Sequence, residues 1–139
     1  MPDPQPKWLV GTAFNKLDPK GRVFLPVKMR SLLPGTLYLI KHPDRCLRLY
    51  TEEMYSTEVE EQQKILAGGR GDRDRMRVIG PPAIEVCVLD TQGRIVIPLQ
   101  LRDHAGLQLE DTVVVTGMYS FVEFWSEEKF AAIQGAPAS

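Results

Sequence analysis

The sequence has few cysteines and no long apolar run. Cys46 and Cys87 are the only two cysteines, and they stand apart from each other and from any His or Cys cluster. This spacing predicts neither a disulfide framework nor a zinc site, so we interpret both as small buried apolar groups. No segment approaches the ~18 apolar residues of a membrane helix, and the N-terminus lacks the pattern of an export signal. These absences favour a soluble, cytoplasmic protein without membrane contact.

Charge is balanced overall but unevenly placed along the chain. The 139 residues include 17 Lys and Arg and 18 Asp and Glu, for a net charge of −1. Residues 7–50 hold nine basic and two acidic residues, a net of +7, whereas residues 78–139 hold three basic and eight acidic ones, a net of −5. The basic residues 7–50 are thus suited to binding phosphates, and the acidic residues 78–139 are suited to contact with protein. The alternative is that these charges only keep the surface solvated.

A ten-residue segment occurs twice in the chain. LDPKGRVFLP at residues 17–26 returns 72 residues later as LDTQGRIVIP at residues 89–98, with Leu, Asp, Gly, Arg and Pro in register. Neither half of so short a chain can bury a core by itself. We therefore predict two repeats, residues 7–77 and 78–134, that share one core.

Both halves predict the same order of elements. LRLYTEEMY at residues 47–55 matches VEFWSEEKF at residues 122–130. Each half reads as a strand, a turn, a second strand, a short helix opened by proline, two further strands and a helix capped by Thr51 or Ser126. The predicted fold class is β-rich α+β, with a pseudo-two-fold relation between the halves.

The helix after Thr51 is predicted to be long. Its apolar residues form one stripe, which consists of Met54, Tyr55, Val59, Ile65 and Leu66. A stripe of this kind predicts an amphipathic helix with one buried face. The glycine-rich segment 67–71 ends the helix, and a short basic helix is predicted to follow.

Each copy of the repeat contains an Asp-x-x-Gly-Arg turn. The aspartate can accept backbone N–H groups within the turn, and the glycine permits a positive φ. The turn-organising residues are therefore Asp18, Gly21, Asp90 and Gly93. We predict that the arginine that follows, Arg22 or Arg94, points outward. The alternative is that each aspartate pairs with the arginine of its own turn and that both serve only the structure.

The paired aspartates do not predict an enzyme. DTQG in the second copy is only a distant match to the Asp-Thr-Gly of aspartic proteases, and the first copy reads DPKG. An arginine four residues after each aspartate holds the carboxylate ionised, which suits structure better than proton transfer. His42 and His104 occupy non-equivalent positions, and no nucleophile elbow or metal-ligand cluster is present. We predict no catalytic residue, metal, cofactor or small-molecule substrate.

Basic residues surround the first of the two turns. A fixed guanidinium can form two hydrogen bonds with guanine O6 and N7, and mobile ammonium groups suit phosphates. The predicted DNA-binding residues are Arg22, Arg94, Lys20, Arg30 and Lys16. The second copy has Gln92 where the first has Lys20, so the first half is predicted to contribute more phosphate affinity.

The doubled Asp-x-x-x-Arg motif and the block HAGLQLEDTVVVTGMYSFVEFW (residues 104–125) resemble the MraZ family of bacterial transcriptional regulators. The likeness runs from about Gly11 to Phe130. It implies a double-ψ or swapped-hairpin barrel of the AbrB type, made of two interleaved halves with peripheral helices. It also implies that Arg22 and Arg94 face DNA while the aspartates organise their turns.

The same resemblance implies a partner and an assembly. A protein of this family would form a homo-oligomeric ring on direct repeats in double-stranded promoter DNA. It would be nucleoid-associated and would repress its own cluster of division and cell-wall genes. The alternative is an AbrB-fold protein-interaction module, antitoxin-like or scaffolding, without specific DNA binding.

Overall fold

The computed structural model describes residues 5–135, which form a strand-rich α+β fold. Its strands are β1 (Thr12–Lys16), β2 (Arg22–Phe24), β3 (Leu37–His42), β4 (Cys46–Thr51), β5 (Glu85–Cys87), β6 (Arg94–Val96), β7 (Thr112–Gly117) and β8 (Val122–Ser126). Its α-helices are α1 (Val27–Arg30), α2 (Glu52–Leu66), α3 (Arg70–Ile79), α4 (Leu99–Ala105) and α5 (Glu127–Gln134). None of the helices in this part of the chain is long and apolar enough to cross a membrane.

Six strands form one antiparallel sheet, and the other two form a separate ribbon. The sheet has the order β1-β7-β8-β4-β3-β5, and the ribbon consists of β2 and β6. The predicted β-rich α+β class is confirmed. A closed barrel is not seen within residues 5–135, because the end strands β1 and β5 do not pair with each other.

The two halves exchange their first strands. β1 of the first half pairs with β7 of the second, and β5 of the second half pairs with β3 of the first. Asn15 lies opposite Val113, and their structural counterparts Cys87 and Leu37 lie opposite each other. The two exchanged pairings therefore have the same register, and each half completes the sheet of the other.

Two cross-strand pairs mark the pseudo-two-fold axis. In the ribbon, Val23 lies opposite Ile95, the residue at the same position of the second copy. In the large sheet, Arg48 lies opposite Glu123, which is again its counterpart in the repeat. A residue at either position meets its own equivalent, as residues on the two-fold axis of a symmetric dimer do.

The main core lies between the ribbon and one face of the six-stranded sheet. Val23 and Ile95 contribute from the ribbon, Leu39 and Phe124 contribute from the sheet, and all are at most 2% exposed. Burying an aliphatic side chain of this size contributes roughly 1.5–3 kcal/mol. Both halves of the chain contribute side chains to this core. Residues of both halves therefore hold the ribbon against the sheet.

Helices α2 and α5 cover parts of the other face of the sheet at equivalent places. Thr51 Oγ1 and Ser126 Oγ each accept a backbone N–H at 3.2 Å, so both predicted N-caps are confirmed. Tyr55 of α2 lies over Tyr38 with ring centres 5.5 Å apart. Its counterpart in α5, Phe130, packs against the sheet near Trp125 and Cys46.

Two predictions about burial are wrong. Tyr55 is the only buried residue of α2. Of the other four stripe residues, Leu66 is partly buried, and Met54, Val59 and Ile65 are 36–46% exposed. A helical period shows that a helix has an apolar face, but it does not show what covers that face. Cys87 is only partly buried, unlike Cys46, because its short strand lies at the end of the sheet.

The Arg48–Glu123 pair lies in a network with different partners on its two sides. Arg48 Nε donates to Glu123 Oε2 at 3.1 Å, and its guanidinium lies 4.3 Å from the centre of the Phe121 ring. Glu123 Oε1 accepts from Trp125 Nε1 at 3.1 Å, and Cys46 Sγ lies 3.9 Å from Oε2. Cys46, beside Glu123, occupies the position in the first half that Phe121, beside Arg48, occupies in the second. The two charged residues therefore have different neighbours at equivalent positions. Attraction thus replaces the repulsion that two identical charges would produce on this axis.

Replacing Glu123 with Gln is expected to lower the free energy of unfolding by about 2–4 kcal/mol, because it leaves the Arg48 charge largely buried without its counter-ion. Urea denaturation followed by circular dichroism would measure the change. The control is Glu127→Gln in the exposed first turn of α5, which should cost less than ~1 kcal/mol. Equal effects of the two substitutions would contradict the assignment.

Candidate nucleic-acid interface

The β2–β6 ribbon brings the twin arginines to one face. Val23 and Ile95 point into the core, so the alternating residues share the outward face. These outward residues are Arg22, Phe24, Arg94 and Val96, with Arg22 opposite Val96 and Arg94 opposite Phe24. From the usual strand rise and spacing, the Cα atoms of the two arginines are about 8 Å apart. A single ligand could therefore contact both.

An aspartate builds the turn before each strand of the ribbon. Asp18 Oδ1 accepts the backbone N–H groups of Lys20 at 2.9 Å and Arg22 at 2.8 Å. Asp90 repeats both bonds in the second turn, each at 2.9 Å. The glycines of the two turns have φ of +79° and +84°, where a side chain would add strain. The two turns therefore have the same geometry despite their different central residues.

Each aspartate also binds the arginine of its own turn. Arg22 Nε donates to Asp18 Oδ2 at 2.7 Å, and Arg94 Nε donates to Asp90 Oδ2 at 2.8 Å. The arginine side chains are 29% and 17% exposed, so they are held in place rather than free in solvent. Within residues 5–135, no group accepts a hydrogen bond from their terminal amino groups. The intra-turn pairing thus leaves the outer edge of each guanidinium for a ligand.

The hydrogen bonds to the aspartates keep both carboxylates ionised. For Asp18, desolvation favours the neutral acid, but the bonds from the Arg22 amide and guanidinium outweigh it and lower the pKa below 3.8. For Asp90, the bond from the Arg94 amide is the largest cause of a lowered pKa. Each carboxylate has its own arginine, so the two do not share a proton as a catalytic dyad does.

Arg30 reaches from the end of α1 to the second turn. Its Nε donates to the carbonyl of Leu25 at 2.8 Å, and its side chain packs so closely on Gly93 that a Cβ there would overlap it. Its guanidinium lies 5.7 Å from the centre of the Phe24 ring, and that of Arg94 lies 5.5 Å from the same ring. Phe24 is thus an aromatic group on the ribbon face in contact with two cations, and it is 41% exposed.

Arg102 also lies at the candidate interface, although the sequence patterns did not lead us to it. It lies over the first turn as Arg30 lies over the second, with its guanidinium carbon 3.8 Å from where a Cβ of Gly21 would be. Its Nε is buried and has no hydrogen-bond partner among the described residues. The repeat itself contains the signal, because Arg102 follows Pro98 by four residues as Arg30 follows Pro26.

The two predicted lysines, Lys16 and Lys20, lie at one end of the ribbon, beside the first turn. Lys20 is exposed at the tip of that turn, and Lys16 ends the strand that leads into it. Lys16 Nζ is 3.9 Å from Glu110 Oε2, and both side chains are more than half exposed. An ion pair of that kind is weak, so it leaves the lysine able to bind another anion. The five predicted residues therefore surround one ribbon, with the lysines at one end.

The carboxyl groups of Asp18 and Asp90 are expected to titrate below 3.8, the ordinary value. Because folding lowers these pKa values, the stability they contribute is complete above that value and is lost as the pH falls through the folded-state pKa. Carbon-detected NMR of the side-chain carboxyl groups would measure both midpoints. A midpoint at or above 3.8 for either turn would contradict the hydrogen-bond assignment.

Comparison with known proteins identifies similar sequences. The family profile described as "MraZ protein, putative antitoxin-like" matches residues 84–137. The protein named Transcriptional regulator MraZ of Pelotomaculum thermopropionicum is 37% identical over 131 residues, which cover 94% of this chain and 88% of that protein. Its namesake in Cutibacterium acnes is 37% identical over 128 residues, covering 90% and 88%. A third, from a Nocardioides species, is 36% identical over 140 residues, covering 93% and 95%.

Proposed function

Because the chain belongs to the MraZ family, we propose that it is a transcriptional regulator that binds specific sequences in double-stranded DNA through the β2–β6 ribbon and its two turns. Similarity over 90–94% of the chain to proteins named transcriptional regulators supports the regulatory role. The observation that carries the DNA-binding proposal is the ribbon, where Arg22 and Arg94 are held on one outward face by Asp18 and Asp90.

The chemistry of the ribbon suits DNA more than a small molecule. The free edge of each guanidinium carries the terminal amino groups that can bind guanine O6 and N7 together in the major groove. Lys16 and Lys20, exposed beside the first turn, can contact phosphates. Since the aspartates already hold the arginines in position, binding costs less side-chain entropy than it would for mobile side chains. No catalytic role is part of the proposal.

A homo-oligomeric ring, with neighbouring copies on successive direct repeats, is the second part of the proposal. One ribbon offers few cations and the whole chain carries a net charge of −1, so a single copy would bind DNA weakly. Linked copies multiply weak affinities through effective concentration. The exposed apolar residues Met54, Val59 and Ile65 of α2 also favour contact between copies. Such a ring upstream of its own division and cell-wall genes would repress them at the nucleoid.

The exchange of first strands supports a relation to the swapped-hairpin class. β1 and β5 each leave their own half and pair with the other half in the same register. Interleaving of this kind is what a swapped-hairpin barrel requires. We propose that the six-stranded sheet and the ribbon together are an open version of that barrel.

An interaction module for other proteins is the alternative function. Two observations favour it: the arginines are largely covered by their own turns, and the matching family profile includes the term antitoxin-like. In that case the guanidinium edges would bind carboxylates of a protein partner. A chain that binds no DNA from the region upstream of its own gene at any salt concentration would favour this reading.

Substituting Ala for Arg22 or Arg94 is expected to weaken DNA binding by about 10- to 100-fold. The thermal melt should change little, because each substitution leaves behind an aspartate that is 26% or 36% exposed and still accepts two backbone N–H groups. Fluorescence anisotropy with a duplex of the upstream region would measure affinity, and log affinity should fall with log salt by about one unit per phosphate contacted.

The control for both arginine variants is Lys64→Ala, which removes one exposed positive charge from α2, away from the ribbon. This variant should bind almost as well as the unsubstituted chain. If Arg22→Ala and Arg94→Ala behave like the control, the ribbon is not the interface. If either variant unfolds instead, the arginine at that position serves the structure.

The oligomer is expected to dissociate or loosen as salt rises, if basic groups of α3 contact the Glu-rich residues 52–61 or the acidic second half of a neighbouring copy. Within α3, Arg75 and Arg77 pair closely with Asp72 and Asp74. Arg70 lies 3.9 Å from Asp74 with its side chain 87% exposed, and Arg73 has no carboxylate partner among the described residues, so these two are the main candidates for this contact. Size-exclusion chromatography with light scattering, at low and high ionic strength and one protein concentration, would measure the mass. An unchanged mass would contradict an electrostatic contact.

A further inference from the structure

Each turn of the ribbon is covered by an arginine from the other half of the chain. Arg30 of the first half packs on Gly93 in the second turn, and Arg102 of the second half packs on Gly21 in the first turn. Both glycines are buried. We call Arg30 and Arg102 the cross-half arginines. Because an arginine of the Asp-x-x-x-Arg motif also leaves each turn, each turn holds two guanidinium groups, one from each half.

The charges of these four arginines are compensated unequally. The motif arginines, Arg22 and Arg94, bind the aspartates of their own turns at 2.7 and 2.8 Å. The cross-half arginines form no ion pair with any carboxylate in residues 5–135. Each turn thus combines two guanidinium groups with one carboxylate, and the cross-half guanidinium lacks a counter-ion.

The cross-half arginines also keep most of their hydrogen-bond donors. Arg30 Nε donates to the carbonyl of Leu25 at 2.8 Å, and its guanidinium forms no other hydrogen bond with the described residues. Arg102 Nε is buried without any partner among them. A guanidinium carries five N–H donors in a planar fork, so most remain available in both side chains. Each side chain is only partly buried, and a ligand can therefore reach its outer atoms.

At the second turn, two guanidinium groups share one aromatic ring. Those of Arg30 and Arg94 lie 5.7 and 5.5 Å from the centre of the Phe24 ring. Asp90 neutralises only Arg94. Like charges held on the same ring repel each other, and a bound anion would reduce that repulsion.

From these contacts we infer that the cross-half arginines bind backbone phosphates, one at each end of the ribbon. The inference rests on the proposed function, because it names the part of the DNA that binds at each turn. A phosphate supplies the missing counter-ion, and a guanidinium can hold it with two parallel hydrogen bonds. The motif arginines are already neutralised and remain for the base edges. Arg102 thereby becomes a DNA-binding residue outside the Asp-x-x-x-Arg motif.

The distance between the two turns suits the major groove. The ladder of the ribbon continues into the turns, since Ile97 N donates to Gly21 O at 2.8 Å and Leu25 N donates to Gly93 O at 2.9 Å. With the usual strand rise and spacing, the Cα atoms of the two glycines are about 14 Å apart. The major groove is about 12 Å wide and admits a two-stranded ribbon. The cross-half arginines therefore bind phosphates of different strands, on opposite walls of the groove.

Uncharged phosphate linkages in the DNA test this assignment. The probe is a set of duplexes of the region upstream of the gene, each with one methylphosphonate linkage. We expect the unsubstituted chain to lose affinity several-fold at linkages on both strands. At least one of these on one strand should have no effect in Arg102→Gln, and at least one on the other strand should have none in Arg30→Gln. Glutamine variants with the full set of sensitive linkages would overturn the inference.

Salt dependence separates phosphate binding from a role in packing the turns. Arg30→Gln or Arg102→Gln should each lower the slope of log affinity against log salt by about one unit, and the double variant by about two. Both should weaken binding to the upstream duplex and to a shuffled duplex by the same factor. Arginine-to-lysine variants, which keep the charge, should keep the slope, as should the control Lys64→Ala. An unchanged slope in the glutamine variants would overturn the inference.

The result does not depend on the folding of every variant, and the two levels of the proposal fail in different ways. Sensitive linkages confined to one strand, measured with the unsubstituted chain alone, would overturn the two-strand contact. If that chain binds no duplex at any salt concentration, the proposed function fails as well. If the chain binds DNA and loses affinity in Arg22→Ala and Arg94→Ala, but the glutamine variants keep the full slope, only the phosphate assignment fails.

Discussion

The exchange of the first strands is the constraint on which the other features depend. β1 pairs with β7 and β5 pairs with β3, so each half begins in the sheet of the other. The chain must then turn back sharply to reach its own helix and hairpin, and Asp18 and Asp90 organise these two turns. The strands that leave the turns meet at the axis and form the ribbon. The exchange of the first strands therefore brings together both the shared core and the ribbon that forms the candidate DNA interface.

A chain with two copies of one repeat can keep a symmetric backbone while the side chains of the copies differ. The residues on the pseudo-two-fold axis show this difference most clearly. Arg48 and Glu123 occupy equivalent positions and attract each other, which identical residues of a symmetric dimer cannot do. The same freedom is present on the outside, where Phe24 and Val96 differ. In the sheet, the difference between Arg48 and Glu123 lets the two halves attract each other. On the ribbon, the difference between Phe24 and Val96 makes the two ends of the outward face unlike.

Features set by local sequence were predictable, whereas those set by distant partners were not. Thr51 and Ser126 form caps, as the patterns predict. The exchange of β1 and β5 has no local signal, because it depends on which strand across the fold has a free edge, so interleaved halves were expected from the family resemblance alone. Burial of the apolar stripe of α2 also depends on a distant partner, so the sequence pattern did not show that most of the stripe is exposed. Arg102 was accessible from the repeat, since it stands where Arg30 stands, but its contact with the opposite turn required coordinates.

Structural and ligand-binding roles of the turn arginines are compatible, because they use different atoms. Nε of each arginine bonds to the aspartate, while the terminal amino groups, which the proposed function assigns to a guanine, take no part in that bond. The same bonds lower the pKa of the aspartates, so the ion pairs persist at neutral pH and keep each guanidinium in one orientation. Arg94 is the less exposed of the two because it also lies against Phe24. The more restrained arginine is therefore the one beside the aromatic ring.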